Sequence, residues 1–212
     1  LTRRSVPEAL SDASLRPWLM AHVWRAFHAR VMPNYRRVRV PGGTYFVTVN
    51  LLERHRRLLV ERIDVLRLAF AEARAARPFF VVAAVVLPDH LHCVWTLPPG
   101  DADNATRWRH IKTAFARALP SAERRSPRRV AKGERGVWQR RFWEHLIRDE
   151  RDLAAHVDYV HFNPVKHGHA ACAAAWPYSS VHRYVARGDL AADWGVAGEA
   201  AGGGGERGAH RR

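Results

Sequence analysis

The sequence predicts an α+β fold: a ferredoxin-like antiparallel sheet with helices packed on one face. Three features of the chain point to it. The elements read β-α-β-β-α-β, with one more helix behind them. Two apolar runs, 79–87 and 90–97, are parted only by the Pro88-Asp89 break, which suits an antiparallel hairpin. The helical segments between strands carry apolar residues at helical spacing, so each has a face to bury.

Residues 44–51 follow the Pro41-Gly42-Gly43 turn and are rich in β-branched and aromatic types, hence a strand. Residues 63–76 place Ile63, Leu66, Phe70 and Ala73 on one helical face. Residues 79–87 form a continuous apolar run, expected of a central strand buried on both faces. Residues 90–97 make the return strand. Residues 105–119 align Trp108, Ile111, Phe115 and Leu119 on a helix. A basic loop follows over 124–136, then a strand over 138–148. The last helix, 151–162, is expected to stop at Pro164.

The chain has 212 residues, 47% of them hydrophobic, enough for one domain with a real core. Residues 1–31 look unlike the rest and are expected to be an extension, with Met32 a candidate natural start. The domain is expected to span 32–187. Residues 188–212, with the run Gly202 to Gly205, are expected to be a flexible tail. No stretch is apolar and long enough to span a membrane. Cys93 and Cys172 lack disulfide or metal spacing, which fits a reducing cytoplasm. The formal net charge of +15 asks for a polyanionic partner, and nucleic acid is the first candidate.

The segment His90-Leu91-His92 carries the chemistry. In a strand, side chains alternate, so both imidazoles share one face and Leu91 takes the other. They form half of a metal site. On the last helix, Leu153, Val157 and Val160 make the apolar stripe, while His156, Tyr159 and Asn163 share a neighbouring stripe. Taken singly, Tyr159 reads more readily as a boundary aromatic with its hydroxyl in water, and Asn163 as a helix cap. Taken with the charge, the set asks for phosphodiester chemistry. Two imidazoles and an amide oxygen suit Mg²⁺ or Mn²⁺ when phosphate supplies the remaining oxygens. A tyrosine hydroxyl can attack phosphorus, but its ordinary pKa near 10 means it needs help. His156, Lys166 and His167 are the candidate helpers.

Six segments stand in order over residues 32–185. They are Met32-Pro33-Asn34-Tyr35-Arg36-Arg37, Gly43-Thr44-Tyr45-Phe46-Val47-Thr48, Leu87-Pro88-Asp89-His90-Leu91-His92, residues 138–145 (WQRRFWEH), residues 159–168 (YVHFNPVKHG) and Trp176-Pro177-Tyr178-Ser179-Ser180. Together they resemble the REP-associated tyrosine transposases, a branch of the single-tyrosine HUH transposases. The resemblance implies a ferredoxin-like catalytic core in which His90 and His92 are metal ligands, Asn163 is the third ligand and Tyr159 is the nucleophile. It implies cleavage of single-stranded DNA at hairpin-forming palindromic repeats, leaving a 5′-phosphotyrosine and a free 3′-OH. Attack by a DNA 3′-OH would reverse the step. It further implies a bacterial, cytoplasmic, nucleoid-associated protein. A monomer acting in cis is favoured over a homodimer, since no dimerisation stripe stands out.

The basic residues fit such a partner. Arg36, Arg37 and Arg39 precede the first strand, and Arg54, Arg56 and Arg57 follow it. Arg140 and Arg141 sit in the strand expected over 138–148, and Tyr178 is a candidate for stacking on an unpaired base. Trp138, Trp143 and Trp176 serve stacking or core packing, with packing favoured for Trp143. Arg124, Arg125, Arg128, Arg129 and Lys132 crowd the loop, where a solvated charge run is the plain alternative. A histidine-triad hydrolase would need a third histidine where Val94 stands, and a two-histidine phosphoesterase would need Thr or Ser there. The remaining alternative is a domesticated, non-catalytic protein binding single-stranded DNA or RNA hairpins. Intact His90, His92, Tyr159 and Asn163 speak against it.

Overall fold

A computed structural model describes residues 37–121 and 123–196. In chain order the elements are β1 (Thr44–Asn50), α1 (Leu58–Glu61), α2 (Ile63–Ala76), β2 (Phe80–Val86), β3 (His90–Thr96), α3 (Asn104–Arg117), α4 (Pro127–Ala131), β4 (Trp143–Leu146), α5 (Glu150–Lys166), a 3₁₀ turn (Ala173–Ala175) and α6 (Val181–Ala186). The strands form one antiparallel sheet in the order β2-β3-β1-β4. The α+β architecture read from the sequence is therefore the one observed.

Strand alternation divides the core in two. Tyr45, Val47 and Val49 of β1 and Leu91, Cys93 and Trp95 of β3 face α2 and α3, where they pack on Leu66, Ala69, Ala73, Trp108, Ile111 and Phe115. The Trp95 and Trp108 rings stack at 4.4 Å. Phe46, Ala83, Val85 and Val94 face the other way and take Ala154, Val157 and Val160 of α5. The expectation of helices on one face thus holds for α2 and α3, while α5 covers the opposite face. The reason is that Phe46, Val85 and Val94 would otherwise stand in water on a bare sheet.

Other expectations need correction. The strand over Phe80–Val86 is an edge strand, not a central one. Its outer rim is filled by residues 178–180: Val86 N donates to Tyr178 O, Ser180 N to Ala84 O, and Ala84 N to Ser180 Oγ, each at 2.8 Å. A covered edge tolerates an apolar strand that an open one would not. The strand expected over 138–148 shrinks to Trp143–Leu146. Trp138 instead turns inward and donates from Nε1 to Lys112 O, making a single bridge with Leu51, so Arg140 and Arg141 lie in irregular chain. The basic loop contains α4.

Pro164 does not stop the last helix, which continues to Lys166. Proline forfeits only its own N–H bond here, near the helix end. The turn is closed beyond it by His167 N to Asn163 O at 3.1 Å and His169 N to Pro164 O at 2.8 Å. Asn163 consequently keeps helical geometry one turn beyond Tyr159. The flexible tail expected from residue 188 is not seen over 188–196, where Leu190 is buried and Trp194 packs on the α5-side core, and residues 197–212 lie outside the described residues. The extension 1–31, Arg36 and the glycine run lie outside the described residues.

Candidate metal and tyrosine site

In β3, His90 stands opposite Asn50 and His92 opposite Thr48 of β1, both on the α5 face. The two rings are 4.9 Å apart and nearly perpendicular, and both residues are buried. Each Nδ1 is tied to an oxygen. His90 Nδ1 lies 2.7 Å from Asp89 Oδ1, and His92 Nδ1 lies 2.8 Å from Thr48 Oγ1. Burial works to raise the Asp89 pKa, but hydrogen bonds from His90 and Arg54 prevail and hold it well below the usual carboxylate range. An ionised Asp89 accepts from His90 Nδ1–H, which puts that ring's lone pair on Nε2, the tautomer of a metal ligand. Burial first, then the nearby His90, His167 and Lys166, push His92 well below its ordinary pKa. It is therefore a neutral imidazole at pH 7, again the ligand form.

Helix α5 begins at Asp149, whose side chain accepts from Asp152 N at 2.8 Å. The apolar side of α5 docks on the sheet and carries Tyr159 and Asn163 with it. The Tyr159 ring is 5.3 Å from His92 and 5.8 Å from Phe46. Phe46 in turn stacks on His92 at 5.6 Å. Asn163 is fully buried and interacts with both His92 and Tyr159. Its amide atoms meet no partner at full hydrogen-bond geometry, which leaves the Oδ1 lone pairs open to a cation. Burial raises the Tyr159 pKa, with Asn163 opposing. Lys166 Nζ lies 3.5 Å from Tyr159 Oη, and burial lowers its own pKa. His167 sits 5.4 Å from His90 and is lowered to about 4, chiefly by burial.

The structure thus brings together His90, His92, Tyr159, Asn163, Lys166 and His167, which sequence separates by up to 77 positions. Two imidazoles on one strand face and a buried amide fit a divalent cation that keeps sites for phosphate oxygens. His156 goes elsewhere. It joins His145 and Asp152 in a second cluster, with His145 Nε2 at 2.8 Å from Asp152 Oδ2 and His156 Nδ1 at 3.0 Å from Oδ1. Those two imidazoles lie parallel, 4.6 Å apart at 13°. Parallel rings do not aim in-plane lone pairs at one point, so this is a hydrogen-bonded triad pinning α5 to β4. Sequence reasoning missed the supporting residues Asp89, Thr48 and Phe46, although Thr48 opposite His92 follows from pairing the strands. Asp152 and His156, four apart on one helix, could also have been paired.

The expected DNA-contact residues divide. Arg37 lies over the Phe142 ring at 3.8 Å and pairs with buried Glu144 at 3.1 Å. Arg54 holds Asp89, Arg56 pairs with Glu53 at 3.0 Å, and Arg140 pairs with Glu134 at 2.8 Å. Arg39, Arg57 and Arg141 are exposed. Tyr178 is half-buried, Trp138 and Trp176 are buried, and Trp143 packs edge-on against Phe46.

No family model matches the chain. It is 46% identical over 163 residues to the REP-associated tyrosine transposase of Escherichia coli strain K12, covering 77% of this chain and 91% of that protein. A Haemophilus influenzae protein carrying the same name provisionally is 46% identical over 165 residues, 77% of this chain and 94% of its own. The solved structure of a REP-associated tyrosine transposase bound to a REP hairpin superposes with a TM-score of 0.67. That match is 46% identical and covers 77% of this chain and 91% of the other.

Proposed function

Because this chain belongs to the REP-associated tyrosine transposase family, we propose that it cleaves and rejoins single-stranded DNA beside hairpin-forming palindromic repeats through a 5′-phosphotyrosine intermediate. The observation that carries this reading is the packing of Tyr159 and Asn163 of α5 against His92 of β3 within one chain. The solved relative was bound to a REP hairpin, which supports a hairpin as the DNA partner.

His90, His92 and Asn163 would hold the cation, Mg²⁺ or Mn²⁺. When bound it supplies charge neutralisation and Lewis acidity at the phosphate oxygens. Tyr159 Oη is the nucleophile. It loses its proton and bonds to phosphorus, while the bond from phosphorus to the 3′ oxygen breaks and that oxygen takes up a proton. The DNA 5′ end is then esterified to Tyr159, and the 3′ end is free. The reverse attack by a 3′-OH restores the phosphodiester without outside energy, since one ester is exchanged for another.

Burial keeps the Tyr159 phenol protonated at rest. Lys166, 3.5 Å from Oη, is placed to offset the charge that develops on the phenolate oxygen. His167 beside His90 is neutral at pH 7 and leaves the metal side free of added positive charge. Exposed Arg39, Arg57 and Arg141 offer phosphate contacts, which makes affinity salt-dependent. Since Tyr159 meets the histidines of its own chain, a monomer acting in cis suffices.

The test is a covalent adduct on single-stranded DNA carrying a hairpin, with Mg²⁺ or Mn²⁺. The adduct is expected to form, to vanish with chelator and to vanish in Tyr159→Phe. Hairpin binding without any adduct under either metal would leave a binding protein and overturn the reading.

A further inference from the structure

We propose that Arg54 is a positioning residue for His90: its guanidinium braces Asp89 and Asn50 around that imidazole instead of contacting DNA phosphate. The inference deepens the metal reading above and rests on it for its purpose. It also separates Arg54 from Arg56 and Arg57, with which the sequence groups it. Arg56 pairs with Glu53 at 3.0 Å and Arg57 is exposed, whereas Arg54 turns its donors inward.

The backbone brings Arg54 to this place. The chain leaves β1 and folds over the Pro88-Asp89 break, where Leu51 N donates to Asp89 O at 2.8 Å and Leu59 N to Pro88 O at 3.1 Å. Arg54 sits in the turn between those two anchors. Its Nε donates to Asp89 Oδ2, and its Nη1 donates to Asn50 Oδ1 at 2.9 Å. The other Asp89 oxygen, Oδ1, lies 2.7 Å from His90 Nδ1. Asn50 stands directly opposite His90 in the β1–β3 register. Asn50, Arg54, Asp89 and His90 therefore close a ring of contacts around one end of the sheet.

The two histidines differ in what holds them. His92 Nδ1 is held by Thr48, which lies inside the central strand β1. His90 is the first residue of β3, and its support comes from Asp89 in the break before the strand. A carboxylate with one oxygen on a ring and the other in water is free to swing away. A guanidinium on the second oxygen prevents that swing. Arginine suits the task because its planar fork spans two acceptors at once, while a lysine ammonium is a point charge on a flexible stem. The result is felt at the far side of the ring. With Nδ1–H directed at Asp89, the His90 lone pair stays on Nε2 and keeps one direction.

The experiment needs no DNA cleavage. Mn²⁺ is titrated into the full chain without DNA, using wild type, Arg54→Ala, Asp89→Ala and the double variant. Arg54→Ala is expected to weaken Mn²⁺ about tenfold. In the Asp89→Ala background it should cost nothing further, since Arg54 acts through Asp89. In chelator, above the ordinary histidine pKa, ¹⁵N spectra of the imidazoles report the His90 tautomer. Wild type should hold the Nδ1–H form, and Arg54→Ala should populate both forms. Hairpin binding in chelator should keep its salt dependence in Arg54→Ala, whereas loss of a phosphate contact would lower the slope by about one. Arg54 lies half-exposed in a turn, so the variant should fold, and an unchanged Tm confirms it. An unchanged Mn²⁺ affinity and tautomer in Arg54→Ala, an equal loss with and without Asp89, or a slope lowered by one overturns the proposal. Mn²⁺ that wild type binds, that His90→Ala loses and that Arg54→Ala leaves untouched keeps the metal reading and removes the brace. A tautomer freed by Arg54→Ala in a protein that binds no Mn²⁺ keeps the brace and removes the metal reading.

Discussion

The two faces of this sheet are built from the same strands and do different work. Toward α2 and α3, β1 and β3 present Tyr45, Val47, Val49, Leu91, Cys93 and Trp95, and the helices answer with aliphatic and aromatic side chains. Toward α5 the next residues along present Phe46, Thr48, His90, His92 and Val94, and the helix answers with Tyr159 and Asn163. Both faces are buried, but on one the polar groups sit at the margin, where Trp95 Nε1 donates to Asn104 Oδ1 at 2.8 Å, and on the other the imidazoles stand in the middle of the packing. The period-two alternation of a strand makes this division possible at no cost in length. It also makes the faces separable by mutation, since a change on one leaves the other's contacts intact.

The largest separation should come from His92→Ala. If His92 is a ligand as proposed, its removal is expected to cut adduct formation by more than about 100-fold, beyond what changes to a ligand's supports produce. Its stability cost should be smaller, about 1–3 kcal/mol, mainly from stranding the Thr48 hydroxyl. Trp108→Ala should do the opposite. Trp108 is fully buried and stacks on Trp95, so its loss should cost about 3–5 kcal/mol. Adduct yield per folded molecule should stay near wild type. Paired denaturation and adduct assays check both, and a Trp108→Ala protein that is folded yet inactive would mean that the faces are coupled.

The two faces were unequally legible. Residues 63–76 declared helix α2 by spacing alone, and the α2-side core followed from Leu66, Trp108, Ile111 and Phe115. His90 and His92 were legible as one face of a strand, and Tyr159 with Asn163 as one stripe of a helix. That these two meet could not be read from periodicity, because periodicity says which residues share a side and not which sides face each other. The resemblance to known transposases supplied that step. Residues 79–87 misled for a related reason: a covered edge strand is as apolar as a central one, and only residues 178–180 reveal the difference. Pro164 misled because the cost of proline falls near a helix end, where few bonds remain to lose. The His145, Asp152 and His156 triad joins two elements, and the strand residue had no spacing to announce it.

A smaller effect is expected one step out from the ligands. Thr48→Val keeps the shape of β1 but removes the oxygen that holds His92 Nδ1 at 2.8 Å. The His92 ring should lose its fixed orientation, and metal affinity should fall about 10- to 100-fold. Titration of Mn²⁺ into wild type and variant, followed by adduct yield at saturating metal, would check this. Val47→Ala, the neighbouring position on the other face, should lower stability and leave metal affinity unchanged. Equal loss of metal affinity in both would show that backbone position, not the hydroxyl, sets the site.

The smallest effect is a pH slope, and it belongs to the α5 face. His92 is held well below its ordinary pKa, first by burial and then by the basic groups around it, and His167 is lowered to about 4, chiefly by burial. In the unfolded chain both should titrate near 6.5. Between about pH 6.5 and pH 4 the unfolded state therefore binds protons that the folded state refuses, so metal-free stability should fall as pH falls. One fully excluded proton gives at most about 1.4 kcal/mol per pH unit. His92 should contribute most of that, while His167, being exposed, is screened by solvent and adds less. Among the described residues, groups on the α2 and α3 side with displaced pKa values, such as the Cys93 thiol, pushed far up by burial, and half-buried Lys112, lowered to about 8 chiefly by desolvation, titrate outside this window. Urea midpoints in chelator at pH 7 and pH 5 should thus converge between wild type and His92→Ala as the pH drops. Parallel lines for the two proteins would mean that His92 accepts its proton as readily folded as unfolded. The α5 face would then differ from the other in residue type alone, without the buried neutral imidazole that the proposed metal site requires.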